Sequence, residues 1–85
     1  MGNKYYKEGL QFYQEEDYEA ASIAFAKSVN YDTNNADAYF NLANSYRILE
    51  RKEEAIAVYE KVIELFPTNS RANRSKAYLK ELQKE

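Results

Sequence analysis

Tyr39, Leu42, Ala43 and Tyr46 recur at i, i+3, i+4 and i+7, the spacing that puts four side chains on one face of a helix. After a charged break at Glu50-Arg51-Lys52, the residues Ala55, Ile56, Tyr59, Val62, Ile63 and Phe66 form a broader apolar stripe, which Pro67 ends. The preceding stretch follows the same plan. Tyr5, Gly9 and Phe12 line one helix, Glu15-Glu16-Asp17 is the turn, and Ala21, Phe25, Ser28 and Val29 line the next. Asn35 and Asn69 (or Ser70) stand where helix N-caps belong. Downstream, Ala72, Ser75, Leu79 and Leu82, with Tyr78 at the edge, predict a fifth helix whose solvent side carries Arg74, Lys80, Glu81 and Lys84. The pattern predicts an all-α fold of about five antiparallel helices.

The halves fall into register when the chain is shifted by 34 residues. Tyr5 lands on Tyr39, Gly9 on Ala43, Phe12 on Tyr46, Ala21 on Ala55, Phe25 on Tyr59 and Asn35 on Asn69. Size and polarity repeat more than identity does. The small residues Gly9, Ala21, Ala43 and Ala55 let two helices of one unit approach closely, with the neighbouring aromatics filling the flanks. In the fifth helix a strict 34-residue step would bury Lys76 and Lys80, so its stripe is expected one residue out of register.

The run Tyr39-x2-Leu42-Ala43-x2-Tyr46, followed by Ala55-x3-Tyr59 and Pro67, closely resembles the tetratricopeptide repeat. The first unit departs from that pattern at Glu8, where an apolar residue is usual, and at Thr33, where proline is usual. The resemblance implies a right-handed α-α superhelix, a solenoid of stacked helix pairs with the first helix of each pair lining a concave face. It also implies one domain over 1–85, divided into repeat one (2–35), repeat two (36–69) and a capping helix (70–85) that gives the stack a polar-backed lid.

Composition narrows the chemistry. The 85 residues contain no cysteine and no histidine, which removes thiolate metal sites, a cysteine nucleophile and the usual general base near neutral pH. Two glycines and one proline are too few for a Gly-rich phosphate loop. Glu15-Glu16-Asp17 and Glu53-Glu54 fall in turns or first helical turns, where carboxylates are solvated or complement a helix N-terminus. No enzyme, no metal and no cofactor are expected. The net charge of −2 gives no field that would favour nucleic acid, and the basic stretch 70–85 suits the dipole of its own helix. No apolar run reaches the roughly 18 residues of a membrane span, so membrane insertion is not expected. With no leader legible, the cytoplasm is the favoured compartment. Asn73-Arg74-Ser75 is a formal glycosylation sequon inside a predicted helix, where chance explains it better than modification.

A second stripe on the first helices carries the functional expectation. Tyr6, Leu10 and Tyr13 recur at i, i+4 and i+7, about 100° round from Tyr5, Gly9 and Phe12. The matching positions in the second unit are Phe40, Asn44 and Arg47, flanked by Asn41. On the resemblance these face the groove. Tyr6, Leu10, Tyr13 and Phe40 are then apolar anchors, Asn41 and Asn44 pair with a ligand backbone, and Arg47 and Arg74 meet carboxylates. Some tetratricopeptide domains clamp a C-terminal carboxylate with Lys and Asn on the first helix, Asn on the third and two basic residues on the fifth. Asn41 and Arg71 match two of those positions, but Tyr6, Leu10 and Ser75 occupy the others. The expected partner is therefore a different protein or peptide segment, with an aromatic or aliphatic anchor and some acidic character. The module is expected to act as an adaptor or scaffold, as a monomer or weak homo-oligomer. The alternative expectation is a self-assembling structural element or an excised segment of a longer solenoid, with Ile23, Val58 and Phe66 offering further apolar surface. On that alternative part of the Tyr6–Tyr13 stripe is buried against another copy or a missing upstream unit; the plainer reading of these tyrosines is that they pad a thin core or cover an interface with another subunit.

Overall fold

The computed structural model describes residues 3–84, so the first residue of the 2–35 unit and the last residue of the 70–85 segment lie outside it. Five helices follow one another: α1 (Lys4–Gln14), α2 (Tyr18–Tyr31), α3 (Ala36–Ile48), α4 (Lys52–Leu65) and α5 (Ser70–Leu82). Short polar side chains start four of them by accepting otherwise orphaned backbone N–H groups. Asn35 Oδ1 accepts from Ala38 N at 3.1 Å and Asn69 Oδ1 from Arg71 N at 2.9 Å, as the spacing predicts. Asp17 caps α2 through Ala20 N, and Asn3 caps α1 through Tyr5 and Tyr6 N. Asn3 also donates through Nδ2 to the carbonyl and hydroxyl of Ser28 at 3.1 and 2.8 Å, fastening the start of α1 to α2. α4 begins at Arg51 without a side-chain cap, and Glu53 and Glu54 complement its dipole instead.

The two tight turns within helix pairs share one geometry. Asp17 N donates to Phe12 O and Glu16 N to Tyr13 O, while Arg51 N donates to Tyr46 O and Glu50 N to Arg47 O. These are Schellman closures, and they place Glu16 and Glu50 in the left-handed region at φ 63° and 64°. Both positions are ones that glycine fills without strain.

Consecutive helices pack against each other along the chain, and α5 covers α4 and also reaches α3. Phe25 of α2 and Tyr59 of α4 are the largest fully buried side chains, with Ala21, Ala43 and Ala55 equally buried beside them. The close approach of α1 to α2 is set by Gly9. A Cβ there would lie 2.6 Å from Cδ1 and Cε1 of Phe25, well inside the normal carbon–carbon contact of about 3.5–4.0 Å. The fifth helix buries Ala72 and Ser75, half-buries Tyr78, Leu79 and Leu82, and leaves Lys76 and Lys80 exposed, which is the expected stripe. Its cap, Asn69, keeps the 34-residue step from Asn35, so the shift lies in the stripe and not in the start of the helix.

Candidate functional site

The face shared by α1, α3 and α5 is organised around the hydroxyl of Tyr59, which rises into it from α4. That hydroxyl donates to Asn44 Oδ1 and accepts from Arg47 Nε at 2.9 Å. Burial pushes the Tyr59 phenol up to about 12, against the opposing hydrogen bond and charge of Arg47. The ring of Tyr78, from α5, stacks on Tyr59 with centroids 5.3 Å apart, and the Arg47 guanidinium lies over Tyr78 at 4.2 Å. Desolvation works against the charge on Arg47, but the Tyr59 bond and the surrounding phenols of Tyr59, Tyr78 and Tyr13 outweigh it, so its pKa is raised. Among the described residues Arg47 has no carboxylate partner. Tyr13 closes this end of the face from α1, its phenol raised by burial and by Tyr18, with Arg47 opposing.

The other end lies about ten residues back along α3, on the order of 15 Å at the helical rise. There Asp37 of α3 and Arg71 of α5 form an ion pair, both partly exposed. Tyr6 of α1 stands beside them: burial raises its phenol, Asp37 raises it further and Arg71 lowers it. Half-buried Asn41 lies on α3 between the two ends, and Leu10, 36% exposed, occupies the middle of the α1 stripe.

The structure thus brings Tyr6, Tyr13, Arg47 and Tyr78 into two neighbouring clusters and places six expected residues differently from a simple open groove. Phe40 is only 7% exposed, because Tyr78 and Tyr59 pack over it at 6.2 and 6.0 Å, so it supports the surface and is not an open anchor. Asn44 is 8% exposed, and the Tyr59 hydroxyl occupies its carbonyl oxygen, which removes it as a free acceptor for a ligand backbone. Tyr6 and Tyr13 do double duty, since both rings also pack on Phe25, at 6.0 and 6.3 Å. Arg74 is exposed and makes no ion pair among the described residues, whereas Arg71 is the basic residue tied into the face through Asp37. Tyr5, expected in the core, is half-buried at an edge against Tyr31, with Lys4 and Lys27 each 5.8 Å from its ring centre.

Two signals for the missed residues are present in the sequence. Leu10 and Phe25 of the first unit become Asn44 and Tyr59 one period later, an apolar pair replaced by a hydrogen-bonding pair. A buried tyrosine needs a partner for its hydroxyl, and the new asparagine supplies one. Asp37 and Arg71 likewise stand one 34-residue step apart with opposite charges.

On another side of the molecule, Val29, Tyr39, Leu42, Ala57, Val58 and Lys61 line an apolar recess of about 360 Å³. Among the described residues no cluster of acidic, histidine or cysteine side chains has the makings of a metal site, and no helix is long and apolar enough to cross a membrane. Residues 36–69 match the family model described as Tetratricopeptide repeat. No curated protein matches the chain closely enough to count as a relative. Repeats of this family generally mediate contacts between proteins and are typically non-catalytic.

Proposed function

We propose that the chain, whose residues 36–69 match a tetratricopeptide repeat, is an adaptor module whose α1–α3–α5 face receives an extended peptide or a partner's helix. One observation carries the reading. Aromatic, amide and guanidinium groups from three separate helices meet on one surface, where a fold needing only a core would place charged, solvated side chains. Leu10 with the exposed edges of Tyr6 and Tyr13 supplies apolar contact, Asn41 supplies an amide, and Arg47 supplies charge. The partner segment then carries an aliphatic or aromatic anchor and acidic character. Affinity is modest, because three short helices offer a short groove and area alone does not set affinity.

Peptides selected from a displayed random library on the wild-type protein test this. Leu10→Asp, at an exposed position, is expected to weaken the selected peptides at least tenfold, the equivalent of losing about 1.5 kcal/mol of apolar burial. Undiminished binding by Leu10→Asp, with loss in Ile23→Asp on α2, would overturn the assignment of the face.

A second reading has its own observation. Ile23 and Tyr31 are 52% and 66% exposed on α2, two helical turns apart, and offer a surface for self-association. The outward positions of α1 argue against simple end-to-end stacking: Lys4, Glu8 and Gln11 are exposed where their counterparts Ala38, Leu42 and Ser45 are buried. Sedimentation at several concentrations separates the readings, with a monomer supporting the groove and a dimer dissolved by Ile23→Asp supporting the α2 surface.

A further inference from the structure

Arg47 is a half-buried guanidinium whose fixed position is fully accounted for and whose charge is not. Its Nε–H is committed to the Tyr59 hydroxyl at 2.9 Å and its plane lies over the Tyr78 ring at 4.2 Å. Every group that acts strongly on it is a phenol, those of Tyr59, Tyr78 and Tyr13, and no carboxylate of the described residues neutralises it. Two other arginines show the usual arrangement. Arg51 lies 2.6 Å from Glu19, and Arg71 pairs with Asp37. An arginine held in one orientation, partly desolvated and lacking a counter-ion, is pre-organised for a planar oxyanion, because the terminal nitrogens stay available once Nε is tethered.

Resting on the groove reading above, we infer that Arg47, with the phenols of Tyr13 and Tyr78 beside it, is the seat of a single carboxylate of the bound segment. The charge count selects a carboxylate over a phosphate. Arg47 brings one positive charge, and Arg71, the other arginine tied into this face, is already neutralised by Asp37. A phosphate dianion placed there would be left half compensated in partly buried surroundings, whereas a carboxylate is matched one to one. The seat differs from the two-carboxylate-clamp positions, of which only Asn41 and Arg71 are present. A ligand carboxylate here also fixes register. The Asp37–Arg71 pair lies on the order of 15 Å away along α3, the reach of about four or five residues of extended chain, so the same segment spans Leu10 on its way between the two ends.

The Nε–H of Arg47, held by Tyr59, is the reporter for an NMR titration. The probes are N-acetylglycine, which presents a terminal carboxylate, and N-acetylglutamic α-amide, which presents a side-chain carboxylate. Inorganic phosphate and sodium chloride at matched ionic strength complete the set. A carboxylate probe is expected to shift the Arg47 Nε–H and the Tyr13 and Tyr78 ring signals saturably, with half-saturation on the order of 10–100 mM for one charge-assisted contact. The stronger of the two carboxylates identifies the source as terminal or side-chain. Arg47→Lys, which keeps the charge but loses the planar fork, should abolish the saturable response, Tyr78→Phe should weaken it several-fold, and Arg74→Gln should leave it unchanged. Shifts no larger than those with chloride, a stronger response to phosphate, or a saturable response confined to Arg74 and Lys80 would each overturn the inference. Failure here leaves the groove reading standing if library-selected peptides still shift Tyr6 and Leu10; loss of those shifts as well would count against both.

Discussion

Replacing Tyr59 by phenylalanine removes one oxygen and keeps the ring. The ring is fully buried against Phe40 and Tyr78, so apolar packing is nearly unchanged. Two partners lose the hydroxyl. Asn44 Oδ1 sits in a residue that is only 8% exposed, and a buried acceptor left without a donor costs about 1–3 kcal/mol. Arg47 is half-buried but keeps some contact with water, so water replaces part of what its Nε–H loses. The expected destabilisation of Tyr59→Phe is therefore about 1.5–3 kcal/mol. At about 4–8 °C per kcal/mol for a domain of this size, the midpoint falls by roughly 6–24 °C, and about 13 °C is the central value. Urea denaturation followed by circular dichroism should show the same loss as a lower midpoint at unchanged slope. The double variant Tyr59→Phe/Asn44→Leu removes donor and acceptor together and should recover at least about 1 kcal/mol relative to the sum of the single changes. A Tyr59→Phe protein within about 0.5 kcal/mol of wild type, or a strictly additive cycle, would refute the claim that this hydroxyl organises the face.

The same phenol makes a pH prediction. Its folded pKa of about 12 lies above the unfolded value of 10.0, so its contribution is complete below pH 10 and is lost as the pH rises toward 12. Wild type should lose on the order of 2–3 kcal/mol across that window, and Tyr59→Phe distinctly less, in denaturation series at pH 9, 10, 11 and 12. Gly9→Ala should destabilise, because overpacking Phe25 at 2.6 Å costs about 1–3 kcal/mol while helix propensity returns about 1. An unchanged or raised melting temperature would contradict that close approach. Ser75→Ala should stabilise by about 1 kcal/mol, since the Ser75 hydroxyl is buried without a hydrogen-bond partner among the described residues, and a lower melting temperature would show that it has one. Glu50→Gly should stabilise by about 0.5–1 kcal/mol by relieving a left-handed residue at φ 64°, checked by the same melts.

Helix positions, most turns and two of the caps were legible in the sequence because period and polarity determine them locally. Gly9, Ala21, Ala43 and Ala55 were legible as contact points for the same reason. The surface was harder to read. A helical wheel gives the angle of Phe40 about α3, but not where α5 comes to rest, and it is Tyr78 on α5 that covers Phe40. Asn44 reads as a groove amide until the hydroxyl of Tyr59, a long side chain from the opposite helix of the pair, is seen to reach it. Arg71 and Arg74 are three residues apart on one helix, and which of them reaches the face depends on a stripe that slips by one residue while the helix start does not. Each of these outcomes rests on contacts between elements distant in sequence, which periodicity within one element does not encode.

Chemical-shift mapping of the ¹⁵N-labelled protein with one library-selected peptide tests the central claim most directly. The account predicts that the large shifts fall on Tyr6, Leu10, Tyr13, Asn41, Arg47 and Tyr78, with Ile23, Tyr31 and Leu65 unmoved. Shifts confined to Ile23, Tyr31 and Leu65, with the Arg47 Nε–H signal unchanged at saturation, would contradict it.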